Sequence, residues 1–151
     1  MTTMLTEHFS IEELVHSDTA IAMGNANMPD TDEQAKNLLR LAETLEEVRK
    51  ILGVPMHITS GYRNNAVNAR VGGVQDSAHL TGLAADFVAP AFGTPLDICR
   101  KLEPHMDALD IDQLICERLH GSQWVHLGLS SNAPRMMAFT MTDRGNMNGF
   151  A

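Results

Sequence analysis

Ser77-Ala78-His79-Leu80-Thr81-Gly82-Leu83-Ala84-Ala85-Asp86 constrains the rest of this chain more than any other stretch. On one helix, the seven steps from His79 to Asp86 would hold their Cα atoms about 10 Å apart, at ~1.5 Å per residue. A tight bend at Gly82 followed by a strand over 83–88 brings them together instead. On that strand Ala84 and Asp86 share one face, while Leu83, Ala85 and Phe87 face the core. The small residues around Asp86 leave room for a metal ion and its water. A second stretch, Trp124-Val125-His126, completes the set. Two imidazoles and one carboxylate from separate segments are the protein ligands of a catalytic zinc, whose fourth position stays open for water. A lone histidine of this kind would read as an ordinary surface side chain.

Other stretches fall into line with these two. They are Ser60-Gly61-Tyr62-Arg63, then Val71-Gly72-Gly73, then Gln113-Leu114-Ile115-x-Glu117. Together with S-x-H-x-x-G-x-A-x-D at 77–86 and W-V-H at 124–126, they closely resemble the zinc D-Ala-D-Ala carboxypeptidase-like peptidases. That is the M15 type of cell-wall peptidase, common in bacteria and in phage endolysins. The resemblance covers roughly Phe9 to Phe139, including an N-terminal Phe-Ser…Glu-Leu…Ser-Asp-Thr-Ala segment.

The resemblance implies a zinc peptidase with His79, Asp86 and His126 as its metal ligands. Its substrate would be the stem peptide of peptidoglycan, cut as a D,D-carboxypeptidase or as an endolysin-type endopeptidase. The counterpart of Arg63 in the family holds substrate near the zinc, and a planar guanidinium suits a substrate carboxylate or polarised carbonyl. Ser77 either hydrogen-bonds substrate or caps the local turn. A rival reading is a non-catalytic domain that keeps the fold and binds cell wall or a protein partner.

Amide hydrolysis on zinc also needs a base for the bound water, which then becomes the acid for the leaving amine. Some members of the wider family carry an acid three residues before the last ligand. Here that residue is Gln123, which cannot act as a base, and this departure is what favours the rival. Glu117 is the candidate. A hairpin turning at residues 120–121 pairs Glu117 with Trp124 and Ile115 with His126, leaving Glu117 diagonal to His126 at ~7–8 Å between Cα atoms. His120, six residues before His126, is the competing base. Trp124 is expected to pack beside the site. His8, His16, His57 and His105 lack partners at ligand spacing.

The chain has 151 residues and a formal net charge of -8. That length suits one domain, 1–151, with 1–8 and 145–151 as flexible ends. The negative balance, with no Lys/Arg patch, argues against nucleic acid. No apolar run approaches the ~18 residues of a membrane span. The N-terminus lacks the basic and apolar regions of a signal peptide. The expectation is therefore synthesis in the cytoplasm, with action at the wall after release or as a phage protein. Cys99 and Cys116 have no C-x-x-C spacing and read as buried free thiols. Oligomeric state is not legible.

Start and stop signals place the elements. Ser10 with Glu13 caps a short first helix, stapled by Phe9 and Leu14. A second short helix runs through Thr19 to Met23. Thr31 with Gln34 opens the longest, 32–52, with Leu38, Leu41, Ala42, Leu45, Val48 and Leu52 as its apolar stripe and Gly53 as its stop. Met56 to Ser60 is a strand, Asn65 caps a brief helix over 66–71, and Thr94-Pro95 opens another. Residues 111–117 and 124–129 form the hairpin, with a last strand near 136–140. The fold class is α+β: a small antiparallel sheet carrying the zinc site, packed with mainly N-terminal helices.

Overall fold

A computed structural model describes residues 2–151. They form an α+β fold. The helices are α1 (Ile11–Val15), α2 (Asp18–Met23), α3 (Asp32–Leu52), α4 (Asn65–Arg70) and α5 (Pro95–Leu102). The strands are β1 (His57–Ser60), β2 (Ala84–Val88), β3 (Gln113–Leu119), β4 (Ser122–Gly128), β5 (Met137–Thr142) and β6 (Gly145–Asn148). The sheet order is β1-β2-β4-β3-β5-β6. Two compact units divide the described residues: those up to Glu46 with Ile58–Ala85, and Glu47–His57 with Asp86–Ala151.

In the first unit the capping residues set the helix starts. Ser10 Oγ accepts the Glu13 N–H at 3.1 Å to open α1, and Ser17 Oγ accepts that of Ala20 at 3.0 Å to open α2. Gly24, at φ 68°, closes α2. Thr31 and Gln34 form the reciprocal box expected at α3, with bonds of 3.1 and 3.3 Å. The predicted α3 stripe is buried at every position. α4 is capped one residue earlier than predicted: Asn64, not Asn65, accepts the Val67 N–H. The ligand stretch folds as a single 3-10 turn, Ala78–Thr81, which Gly82 ends at φ 81°.

In the second unit α5 begins as predicted, with Thr94 and Asp97 in a capping box and Pro95 in its first turn. Cys99 and Cys116 are free and buried. β3 and β4 join through His120 and Gly121, whose φ values of 53° and 79° suit a two-residue type I′ turn. Their antiparallel register sets Ile115 opposite His126 and Glu117 opposite Trp124, as the sequence implied. The sheet departs from expectation on the other side of β3. There β5 runs parallel to β3, with Gln113 opposite Met137, so the sheet is mostly rather than wholly antiparallel. β4 ends beside the start of β3, and residues 129–136 carry the chain round that end into β5, which therefore runs in the same direction as β3. Beyond it, the tail expected to be flexible from Gly145 carries β6, antiparallel to β5.

Paired residues in a sheet point to one face. One face of the hairpin carries Leu114, Cys116, Val125 and Leu127, all fully buried. The other carries Gln113, Ile115, Glu117, Trp124, His126 and Gly128. The apolar alternation therefore sends one set into the core and turns the polar set toward a common surface.

Candidate metal centre

His79 sits in the 3-10 turn, buried, and its backbone is tied at both ends. Ser77 Oγ accepts the His79 N–H at 3.2 Å, and the His79 carbonyl accepts the Arg63 N–H at 3.0 Å. Of the two roles read for Ser77, the structure therefore displays the cap. The ring is fixed as well: His79 Nδ1 lies 2.7 Å from the Gly61 carbonyl oxygen. A carbonyl can only accept, so Nδ1 carries the proton and Nε2 is the ring's ligand nitrogen.

Gly61 can hold this position only without a side chain. A Cβ there would lie 2.1 Å from the Leu14 carbonyl oxygen, the same oxygen that accepts the Tyr62 N–H at 2.7 Å. The loop that follows is clamped by one side chain from between α2 and α3. Asn27 is buried, at φ 50°. Its Nδ2 donates to the carbonyls of Val15 and Tyr62 at 2.8 and 2.9 Å. Its Oδ1 accepts the Asn64 N–H at 2.9 Å. Arg63 thus stands between two backbone groups held by one carboxamide, at the end of β1 where it was predicted. The only local signal for Asn27 was an asparagine in a loop, the residue type that tolerates a left-handed backbone.

On β2 and β4, Asp86 and His126 face each other, with His126 Nδ1 2.9 Å from Asp86 Oδ1. The other ring nitrogen, His126 Nε2, lies 3.1 Å from Gln113 Oε1. Glu117 Oε2 is 3.9 Å from His126 Nδ1. The indole Nε1–H of Trp124 donates to the same Glu117 oxygen at 3.2 Å. Only 14% of the Glu117 side chain is exposed. Trp124 therefore does more than pack beside the site, because it orients this carboxylate.

One ligand atom from each of His79, Asp86 and His126 lies within 4.8 Å of the other two. Two imidazole nitrogens and a carboxylate oxygen form a donor set that suits zinc and leaves a fourth position for water. The proton fixed on His79 Nδ1 agrees with a metal-binding Nε2. These residues fit a metal ion.

The two remaining sites read from the sequence stand apart. His120 occupies the hairpin turn with 91% of its side chain exposed, its ring 3.5 Å from Asp143. The Asp143 carboxylate also accepts the His120 N–H, at 3.1 and 3.2 Å. Gln123 pairs with Arg118 on the face opposite to His126, so an acid at 123 would point away from this cluster.

The family model described as Peptidase M15 matches residues 7–127, well over half of the chain. The chain belongs to the peptidase M15 family. No curated protein is significantly similar to it.

Proposed function

We propose that this protein is a zinc metallopeptidase that hydrolyses peptide bonds in the stem peptides of peptidoglycan. The observation that carries this reading is the juxtaposition of His79, Asp86 and His126 with the Glu117 carboxylate in a member of a peptidase family. His79, Asp86 and His126 would hold the zinc. When bound, the metal supplies a Lewis acid that polarises the scissile carbonyl and lowers the pKa of its water to about 7.

The chain's own residues do the rest. Glu117 takes the proton of the attacking water and passes it to the leaving amine nitrogen. The Trp124 indole holds the carboxylate at the angle this shuttle needs. Gly61 fixes the His79 imidazole. Arg63 grips a substrate carboxylate or carbonyl from a loop braced by Asn27. A D,D-carboxypeptidase and an endolysin-type endopeptidase would use the same residues and differ in whether the substrate ends beside Arg63.

The non-catalytic alternative drew on the missing acid at position 123. With Glu117 beside His126 and Gln123 on the opposite face, that feature lends it no support. Among the described residues no helix is long and apolar enough to cross a membrane. Access to the wall would follow release at lysis or delivery in a phage particle.

Purified peptidoglycan is the substrate for the test. Digestion followed by mass spectrometry should show stem-peptide cleavage that a zinc chelator abolishes. Intact wall after treatment with zinc-loaded protein would refute the reading.

A further inference from the structure

The second imidazole raises a question that the ligand set alone does not answer: which of its nitrogens meets the metal. His126 Nδ1 is turned toward Asp86 Oδ1 at 2.9 Å and Glu117 Oε2 at 3.9 Å. His126 Nε2 is turned away from both carboxylates, toward Gln113 Oε1 at 3.1 Å. Gln113 and His126 project from the same face of the β3–β4 hairpin, because Gln113 pairs with Gly128, two residues beyond His126.

The residue at 128 makes room for this contact. A Cβ there would lie 3.2 Å from Gln113 Oε1 and 3.4 Å from His126 Nε2. The first is tighter than an ordinary contact, so a side chain at 128 would crowd the Gln113 carboxamide against the ring. The φ at Gly128 is not in the left-handed region, so the reason for glycine here is space between side chains rather than backbone freedom. Three features therefore converge on one bond: the amide's position, the ring's orientation and the missing side chain.

We propose that Gln113 is a positioning residue for the metal. Its carboxamide oxygen accepts the Nε2–H of His126, which fixes the tautomer in which Nδ1 is the ligand atom. The site is then asymmetric: His79 offers Nε2 because Gly61 holds its Nδ1 proton, and His126 offers Nδ1 because Gln113 holds its Nε2 proton. This rests on the reading of the site as a zinc centre. Partners of this kind commonly contribute 10–100-fold to metal affinity.

The test reads zinc affinity by competition with a chromophoric chelator, and ring protonation by long-range proton–nitrogen correlation on zinc-loaded, 15N-labelled wild-type protein. The spectrum should place the His126 proton on Nε2 and the His79 proton on Nδ1. Gln113→Ala should weaken zinc binding by about 10–100-fold, and Gln113→Glu, which keeps an acceptor at that point, should restore most of it. A His126 proton on Nδ1 in the wild-type spectrum would overturn the proposal even if no variant folds. Equal zinc affinity in wild type and Gln113→Ala would also overturn it, while leaving the zinc site standing. Wild-type protein that binds no zinc at all would remove the zinc site, and this proposal with it.

Discussion

At the scale of single residues, Glu117 separates an enzyme from a binding domain. Glu117→Gln preserves the shape of the side chain and can still accept the Trp124 indole proton, but it cannot carry a proton from water to amine. Zinc content should stay at the wild-type level, and peptide hydrolysis should fall by about 10²–10⁴-fold, the usual contribution of general acid–base catalysis. Stem-peptide cleavage at an unchanged rate would show that Glu117 is not the base. Residues with chemistry of their own were legible in the sequence: His79, Asp86, His126 and Glu117 are ligand or base types, and the structure brings them together. Their supports were not. Gln113 and Asn27 act through ordinary amides whose partners lie 13 and up to 37 residues away. Gln113 entered the resemblance only as part of Gln113-Leu114-Ile115-x-Glu117, with no role attached, and Asn27 only as an asparagine in a loop.

At the scale of elements, the two-residue connection between β3 and β4 sets the relation of Glu117 to His126. Side chains alternate along a strand, so a slip of one residue would send one of these groups to the core face. Gly121 sits at φ 79° with nothing near its missing side chain, so the demand there is one of backbone conformation alone. Gly121→Val should destabilise the protein by about 1–2 kcal/mol, the penalty for a left-handed residue with a Cβ. Gly121→Asn should lose less. Urea unfolding measures both, and equal stability of the two variants would contradict this turn geometry. Cap signals made most helix starts readable, because capping is local chemistry. The parallel pairing of β5 with β3 and the presence of β6 were not readable. Which side of the hairpin β5 joins is decided by neighbours distant in sequence, and the short polar β6 has no apolar alternation to announce it.

At the scale of the whole molecule, the acid limb of stability should depend on Asp112. This buried carboxylate takes bonds from Arg135 N at 2.7 Å, Nε at 3.0 Å and Nη2 at 2.7 Å. Its own backbone joins the ends of two other strands, through bonds to the Gly128 carbonyl and from the Met137 N–H. The Arg135 side chain beside it outweighs the effect of burial and holds the carboxyl below its ordinary value of 3.8. Folding therefore favours the ionised form. The resulting stability is present above the unfolded pKa and is lost as pH falls from about 4 through the lower folded value. Asp112→Asn should lower stability at pH 7 by about 1–3 kcal/mol, the range for a lost charged hydrogen bond. It should also flatten the loss of stability below pH 4. Urea unfolding at pH 7 and pH 3 checks both, and a mutant with the wild-type acid slope would show that the Asp112–Arg135 pair does not govern it.

The shortness of the β3–β4 turn also has a consequence for the order of events during folding. Glu117 and His126 are nine positions apart and meet across a two-residue connection, so little chain entropy opposes their encounter. Hairpins of this kind form in about 1–10 μs. Asp86 must reach His126 across 40 residues, and the turn bearing His79 lies further up the chain still. Glu117 and His126 are thus in register long before Asp86 and His79 could join them. On the proposed zinc reading, an ion arriving early would meet a single strong ligand and leave again, whereas one arriving late would meet the finished set. On that reading, metal capture would mark the end of folding rather than its beginning.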